Sequence, residues 1–203
     1  NASMNILYLY QGGLTLGQKE YYLDTDKATV DIREAYKKHL IKMFQLFGFN
    51  AAQAKAKGEA VLRFETALAK FSKSSTELRD VEANYNKMTL AQFKAKYPNL
   101  PVEALLNAEG IKSAYFQTLV VGQPAFFAGL NKLVTTWNLA DRKAYMQWSV
   151  INSSTGYLSS VVEAEHFDFF GKTMRGKKEN FPLWKRATSQ VESVMGEALG
   201  RIY

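Results

Sequence analysis

The chain has 203 residues, which is enough for one large domain or two small ones with a buried core. Because 47% of the residues are hydrophobic and 22% are charged, the composition is typical of a globular protein and excludes a disordered one. The formal charge is +7, and the lack of cysteine excludes disulfides and thiolate metal sites. No apolar run approaches the roughly 18–20 residues that span a bilayer, so we predict no transmembrane segment in this chain.

The positive charge is interspersed with acidic residues along most of the chain. The one local surplus, which we name the basic cluster, consists of Lys172, Arg175, Lys177 and Lys178. Glu179 follows it directly. We interpret the cluster as a solvated surface and predict no nucleic-acid partner, with an anionic partner as the alternative.

The two ends of the chain predict a piece of a longer protein. Residues Asn1-Ala2-Ser3 lack the charged and apolar parts of a signal peptide and are interpreted as vector-derived. Structure is expected to begin almost at once after them, and a last helix is expected to reach Tyr203 without a stop signal. We therefore predict that residues 4–203 form a single helical domain, cut from the N-terminal region of a larger protein.

The first elements in chain order are a short strand and a helical hairpin. Ile6–Tyr10 is apolar and aromatic, as is typical of a strand. Apolar residues then recur every three to four positions over Ala28–Phe47, and Gly48 is a typical end signal. Asn50 is expected to cap a second helix, which reaches about Phe71 and packs antiparallel to the first.

The middle of the chain predicts shorter helices. Residues 72–86 are polar and weakly periodic, so we interpret them as a loop. Thr89 and Gln92 have the spacing of a capping box, which begins a short helix that ends before Pro98. Pro101 suits the first turn of another short helix, which ends near residue 108.

A second segment with strand character follows at Tyr115–Val121. We predict that it pairs with Ile6–Tyr10, because each strand would otherwise leave its backbone groups without partners. The predicted fold class is therefore mainly α: a multi-helix domain with a small two-stranded β ribbon.

The C-terminal part predicts two long helices. Asn138 is expected to cap a helix that reaches about His166 and contains Gly156, which close packing would explain. Residues 167–180 are interpreted as a turn region, and Pro182 opens the final helix. The inward stripe of that helix is predicted to be Trp184, Ala187, Val191, Val194, Ala198 and Ile202. On an adjoining apolar face, we predict that some of three residues are exposed or covered by another molecule, namely Met195, Leu199 and Tyr203.

The chain offers few groups for catalysis. Neither His39 nor His166 belongs to a His-Glu-x-x-His pattern, which places two zinc ligands on one helical face. His39 lies beside the apolar stripe of its helix and is interpreted as a packed histidine rather than a base. One dense polar run is interpreted as a charged helix end, with a metal site as the alternative, and it contains Glu163, Glu165, His166 and Asp168.

The glycine-rich segment Gly12–Gly17 lacks the spacings of phosphate-binding loops and is interpreted as flexible turns. The hydroxyls near residue 153 have no neighbouring base that could activate them. We therefore predict no catalytic residue and no metal-binding residue in this chain. The sequence does not identify substrate-binding residues.

Four segments carry motifs that occur in the same order in one known family. Gly13–Leu23 is similar to a family segment of the form Gly-Leu-Pro-x-Arg-Asp-Tyr-Tyr-Leu, and Tyr85–Gln92 is nearly identical to a Tyr-Asn-x-Met-Thr segment. Val120–Phe126 resembles a strand and turn before a helix, and Trp184–Tyr203 resembles the segment before a central linker. From about residue 6 to its last residue, the chain thus resembles the N-terminal, non-catalytic helical region of the neprilysin and endothelin-converting enzyme family of zinc endopeptidases.

The resemblance implies the function of a longer parent protein. Family members have two mostly helical lobes around a chamber, and their zinc ligands lie C-terminal to the part present here. The resemblance therefore implies a chamber-forming region of an enzyme that hydrolyses peptides, with the missing catalytic lobe as its partner. It also implies that this chain alone binds no zinc and is inactive.

The resemblance also bears on the source and location of the parent enzyme. Animal members carry disulfides, so a chain without cysteine favours a bacterial, exported enzyme. Its expected location is extracytoplasmic, whether periplasmic, secreted or membrane-anchored. The alternative function is a free-standing helical interaction module, whose basic cluster binds an anionic partner.

Overall fold

The computed structural model of the chain describes residues 5–202. The residues interpreted as vector-derived, 1–3, lie outside this range. The chain divides into two compact units, residues 1–154 and 155–203. The predicted mainly α fold is confirmed, whereas the single domain over residues 4–203 stays a prediction.

The first unit contains a small sheet and helices of very different lengths. Its strands are β1 (Leu7–Leu9), β2 (Asn86–Thr89) and β3 (Thr118–Val121). Its helices are α1 (Glu20–Leu23), α2 (Lys27–Leu46), α3 (Ala51–Ala69), α4 (Leu90–Lys96), α5 (Val102–Ala108), α6 (Pro124–Thr136) and α7 (Leu139–Ser154). Short 3₁₀ turns lie at Glu77–Arg79 and Ser113–Tyr115.

Helices α2 and α3 form the predicted hairpin and pack against each other. The α3 N-terminus has a capping box, in which Asn50 and Gln53 each accept the backbone N–H of the other. Gly48 ends the first helix with a φ of 86°, which favours glycine. Gly58 brings the two helices close, because a Cβ at this position would lie 3.0 Å from the Ile41 side chain.

The sheet confirms the predicted pairing and adds a strand, β2, that was not predicted. Strand β1 is parallel to β3, with Leu7 opposite Leu119. Strand β2 is antiparallel to β3 on its other side, with Thr89 opposite Thr118. The ribbon therefore has three strands, and the prediction of two was incomplete. Polar residues in β2 hide its strand character, which only the pairing with the buried strand β3 reveals.

One hydrophobic core joins the sheet to the helices around it. Its buried members are Phe64, Leu68, Leu90, Phe93, Tyr97, Val102, Phe116, Leu119, Val121, Phe126, Phe127 and Leu133. A second buried group lies where α2 meets Trp148 of α7. Helix α3 contributes to the core and also packs against α2 and α7, so it is the central element of this unit.

The second unit contains a 3₁₀ turn (Thr155–Tyr157), α8 (Ser160–His166), a π-helix (Phe167–Thr173) and α9 (Leu183–Gly200). The single long helix predicted from Asn138 to His166 is therefore wrong, because the 3₁₀ turn and Ser159 interrupt it. Gly156 lies in that turn, and a Cβ there would meet no atom within 4 Å. Close packing therefore does not explain this glycine.

The segment predicted as a turn region, residues 167–180, begins with the π-helix. Gly171 lies against the Phe167 ring, where an added Cβ would lie 2.3 Å from ring atoms. A larger residue at position 171 would therefore clash with this ring.

Candidate functional site: the apolar face of helix α9

The observed burial of helix α9 differs from the predicted burial more than that of any other predicted helix. It begins directly after Pro182, as predicted, and the backbone leaves helical geometry at Met195. None of its residues is buried. The predicted inward stripe is therefore wrong for this chain, because Trp184 is 70% exposed and Val194 is 75% exposed.

The second predicted face of α9 is also exposed. Met195 and Leu199 are both accessible, which confirms the prediction for these two residues. Tyr203 lies outside the described residues. The exposed large apolar residues of this helix and its end are Leu183, Trp184, Val191, Val194, Met195, Leu199 and Ile202. A continuous apolar face of this kind is typical of an interaction surface.

Polar contacts hold the N-terminal half of α9 within its own unit. The guanidinium of Arg186 forms an ion pair with Glu163 of α8, and Arg186 Nε donates to the Phe181 carbonyl at 2.9 Å. The Gln190 amide donates to the Tyr157 hydroxyl. A groove of about 670 Å³ follows the helix between Ala187 and Ile202, and most of its lining is apolar. Helix α9 thus combines polar side chains that hold it to its own unit with an apolar groove along its C-terminal part.

Two of the three carboxylates in the polar run around His166 are paired with basic side chains. Glu163 pairs with Arg186, and Asp168 pairs with Lys172. The His166 ring lies against the Phe170 ring, with 4.6 Å between their centroids. Within residues 5–202, no group of three or more metal-ligand side chains could hold an ion. The charged helix end is therefore the interpretation that fits these contacts.

His39 is a packed histidine, as predicted. It is 2% exposed, and its ring meets Trp148 edge to face at 5.7 Å. Burial lowers the pKa of His39 to about 4, so the imidazole is neutral at ordinary pH. The two histidines of the chain lie in different units, His39 in the first and His166 in the second.

The basic cluster is partly neutralised by its own surroundings. Lys172 pairs with Asp168 and lies 5.8 Å from the Phe167 ring centroid, and Lys177 lies 4.7 Å from the Phe181 ring centroid. These contacts provide partners for two of the four positive charges. They do not favour the interaction module with an anionic partner, which stays an untested alternative.

The glycine-rich segment contains turns, as predicted. Gly13 and Gly17 have φ angles of 86° and 82°, which favour glycine. Sequence reasoning missed the buried carboxylate of Glu65, which this segment contacts through Thr15. The signal was present, because an acidic residue interrupts the apolar face between Phe64 and Leu68 of α3.

The fold is closely similar to that of a known class of zinc metalloproteases. The Mycobacterium tuberculosis zinc metalloprotease Zmp1 matches with a TM-score of 0.91 and 28% identity, over 97% of this chain and 30% of the protease. The similarity extends over nearly all of the chain rather than one motif.

The model of the N-terminal region of peptidase family M13 matches residues 1–203, and the chain therefore belongs to peptidase family M13. An endothelin-converting enzyme homolog from Locusta migratoria is 27% identical over the whole chain and 29% of its own length. Neprilysin-2 from Drosophila melanogaster is 29% identical over the whole chain and 28% of its own length. The chain thus spans less than a third of the length of these relatives. The predicted resemblance to the neprilysin-like family is confirmed.

None of the helices in the described part of the chain is both long enough and apolar enough to cross a membrane. Helix α9 also carries exposed charged residues, such as Glu192 and Glu197.

Proposed function

We propose that this chain is the helical, non-catalytic region that encloses the substrate chamber of a neprilysin-like zinc endopeptidase. The observation that carries the proposal is the family match over residues 1–203 in a chain that spans less than a third of its relatives. In such an enzyme, a wall around the chamber admits peptides and excludes folded proteins, and it removes water from the bound peptide.

The zinc ligands of the parent enzyme belong, in this proposal, to polypeptide beyond the present sequence. Relatives include a zinc metalloprotease, which supports zinc in the parent enzyme. Two observations support this assignment: Glu163 and Asp168 near His166 pair with basic side chains, and His39 is buried against Trp148. In this proposal, the chain supplies shape and packing.

The exposed face of α9 is, in this proposal, the surface on which the catalytic lobe or its linker packs. Val194 and Ile202 are 75% and 85% exposed, and their transfer out of water would be favourable at roughly 25 cal/mol per Å². The apolar groove on α9 could accept apolar side chains of that partner in this proposal. The parent enzyme acts on peptides outside the cytoplasm, as the neprilysin-like relatives suggest.

The first test is the native gene beyond the codon for Tyr203. A downstream His-Glu-x-x-His motif is the expected result, and a stop codon at this point contradicts the proposal.

The second test is metal analysis and peptide hydrolysis with the purified chain. We expect neither zinc nor activity, whereas stoichiometric zinc with activity that a chelator abolishes contradicts the assignment of the site to other polypeptide.

The packing role of α9 has a matched pair of variants. Val194→Asp is expected to lower the melting temperature of the longer protein, because it places a charge in the proposed interface, and to leave this chain alone unchanged. Val81→Asp is the control, since Val81 is 79% exposed in the other unit and is expected to change neither protein. An unchanged melting temperature of the longer protein with Val194→Asp contradicts the proposed interface.

A further inference from the structure

The side chain of Glu65 is buried inside the first unit without a cation. The residue has no exposed surface, although it lies on the amphipathic helix α3. Its carboxylate accepts hydrogen bonds from Thr15 Oγ1 at 2.6 Å, Tyr22 Oη at 2.7 Å and Tyr36 Oη at 3.0 Å. Among the described contacts of Glu65 there is no lysine or arginine, so uncharged donors replace its hydration, namely the three hydroxyl groups and the Thr15 backbone.

This cluster fastens the glycine-rich segment, residues 13–17, to the helices behind it. Thr15 donates to Glu65 and accepts from Trp148 Nε1 at 3.0 Å. The Leu16 backbone N–H donates to Tyr22 Oη at 3.0 Å, and the same hydroxyl donates to Glu65. The carboxylate therefore links a turn segment to α1, α2 and α3 directly, and to α7 through Trp148.

Protonation of Glu65 changes which groups donate. The ionised carboxylate accepts from all three hydroxyls, but it is charged in a site that water does not reach, which is unfavourable. The protonated carboxyl has no net charge, and its own O–H needs an acceptor, so a hydroxyl must turn to receive it. Separation of residues 13–17 from the helices would expose the carboxylate to water, which favours the ionised form.

The other titratable groups around the cluster do not change charge near neutral pH. Burial and the neighbouring Glu65 carboxylate raise the pKa of Tyr22 and Tyr36 far above their ordinary value. Burial raises the pKa of Tyr145 to about 12, and it lowers that of His39, which packs on Trp148, to about 4. Burial raises the pKa of Glu65 itself to about 7, although hydrogen bonds from Thr15, Tyr22 and Tyr36 oppose this rise.

We propose that Glu65 is a proton-operated latch, which holds residues 13–17 against α1, α2, α3 and α7 when it is protonated and releases them more readily when it is ionised. When residues 13–17 are closed, the protonated form of Glu65 is favoured. When they are open, Glu65 is hydrated and has the ordinary acidity of a carboxyl group. The opening equilibrium therefore rises by up to tenfold per pH unit between about pH 4.5 and pH 7 and is constant above.

The test is amide hydrogen exchange in the whole chain between pH 5 and pH 8. The Leu16 amide is the reporter, because its acceptor is the Tyr22 hydroxyl of the cluster. After correction for the intrinsic pH dependence of exchange, its protection factor is expected to fall at least tenfold over this range. Amides of the buried strand β3 provide the reference for global unfolding.

Glu65→Gln is expected to abolish the pH dependence at Leu16, because it replaces the titrating carboxyl group with an amide of similar shape. Glu77→Gln is the matched control, since Glu77 is an exposed glutamate whose pKa is already lowered to about 2 by hydrogen bonds from Ser74 and by Lys19. It is expected to keep the wild-type profile.

Tyr36→Phe provides a second test that does not need the Gln variant to fold. It removes a hydrogen bond that stabilises the ionised carboxylate, so the midpoint of the pH profile is expected to move to higher pH. A wild-type protection factor that is constant from pH 5 to pH 8 overturns the proposal. An unshifted midpoint in Tyr36→Phe, or an equal pH dependence in Glu65→Gln, overturns it as well.

Discussion

Helices α3 and α9 have similar lengths and the same spacing of apolar residues, yet they differ completely in burial. Helix α3 buries eight of its residues, and α9 buries none. The difference lies in the surroundings, because α3 packs against α2, α6 and α7 within its unit, whereas the apolar groove of α9 is open. Periodicity thus defines which face of a helix is apolar, but not what covers that face.

A second difference concerns charge. In α3 the buried face includes the carboxylate of Glu65, which hydroxyl groups surround. In α9 the polar groups Arg186 and Gln190 anchor the helix by contacts within the second unit. In α3, burial therefore makes the stability of the fold depend on the protonation of Glu65. In α9, the polar contacts of Arg186 and Gln190 orient the helix.

The largest expected effect tests the contrast in burial with two tryptophans. Trp148 has no exposed surface and contacts Tyr36, His39 and Phe44, whereas Trp184 of α9 is 70% exposed. Trp148→Ala is expected to lower the free energy of unfolding of this chain by about 3–5 kcal/mol, because it leaves a cavity. Trp184→Ala is expected to change it by about 0.5 kcal/mol or less. Urea denaturation followed by circular dichroism measures both, and equal losses would show that α9 is buried in solution.

The next effect concerns the pH dependence of stability in the buried group around α3. The pKa of Glu65 is raised from 4.5 to about 7, so its contribution to stability is present below pH 4.5 and is lost as the pH rises through 7. The pKa of His39 is lowered from 6.5 to about 4, so its contribution is present above pH 6.5 and is lost as the pH falls through 4. Each contribution is about 3 kcal/mol, and between pH 4.5 and 6.5 the first decreases with pH while the second increases.

The wild-type chain is therefore expected to have a nearly constant free energy of unfolding between pH 4.5 and 6.5. Glu65→Gln is expected to become more stable as the pH rises in this range, and His39→Gln less stable, each by up to about 1.4 kcal/mol per pH unit. Urea titrations at several pH values measure the slopes. If the free energy of unfolding changed with pH in the same direction in both variants, the opposite pH dependences of Glu65 and His39 would be contradicted.

The smallest effect tests a local signal that does not depend on either helix. Thr89 Oγ1 accepts from the Gln92 backbone N–H at 3.1 Å, and the Gln92 side chain accepts from the Thr89 N–H at 2.8 Å. Thr89→Ala is expected to lower the free energy of unfolding by about 1 kcal/mol, because one N–H at the start of α4 loses its acceptor. Thr135→Ala is the control, since the Thr135 hydroxyl is exposed and contacts the Lys132 carbonyl at the end of α6. An equal loss in both variants would contradict a specific role of the cap.

Several features could be predicted because their causes are local in sequence. The Asn50 cap and the Thr89–Gln92 capping box depend on residues three positions apart, and both are present as predicted. The pairing of the strands near residues 8 and 120 followed from the need of each backbone for partners. Strand β2 could not be predicted, since it is defined by its pairing with β3, about 30 residues further along the chain.

The sequence by itself determined the mainly α fold, the helical hairpin of α2 and α3, the packed role of His39 and the resemblance to the neprilysin-like family. Apolar period, caps and motif order are encoded by neighbouring residues, so they are readable without coordinates. Only the tertiary structure decided that the stripe of α9 is exposed and that Glu65 is enclosed by Thr15, Tyr22 and Tyr36. The burial and the pKa of Glu65 depend on residues that are distant in sequence, because Tyr36 is 29 residues away and Thr15 is 50 residues away. These contacts, and the free energies that they contribute, exist only when the chain has folded.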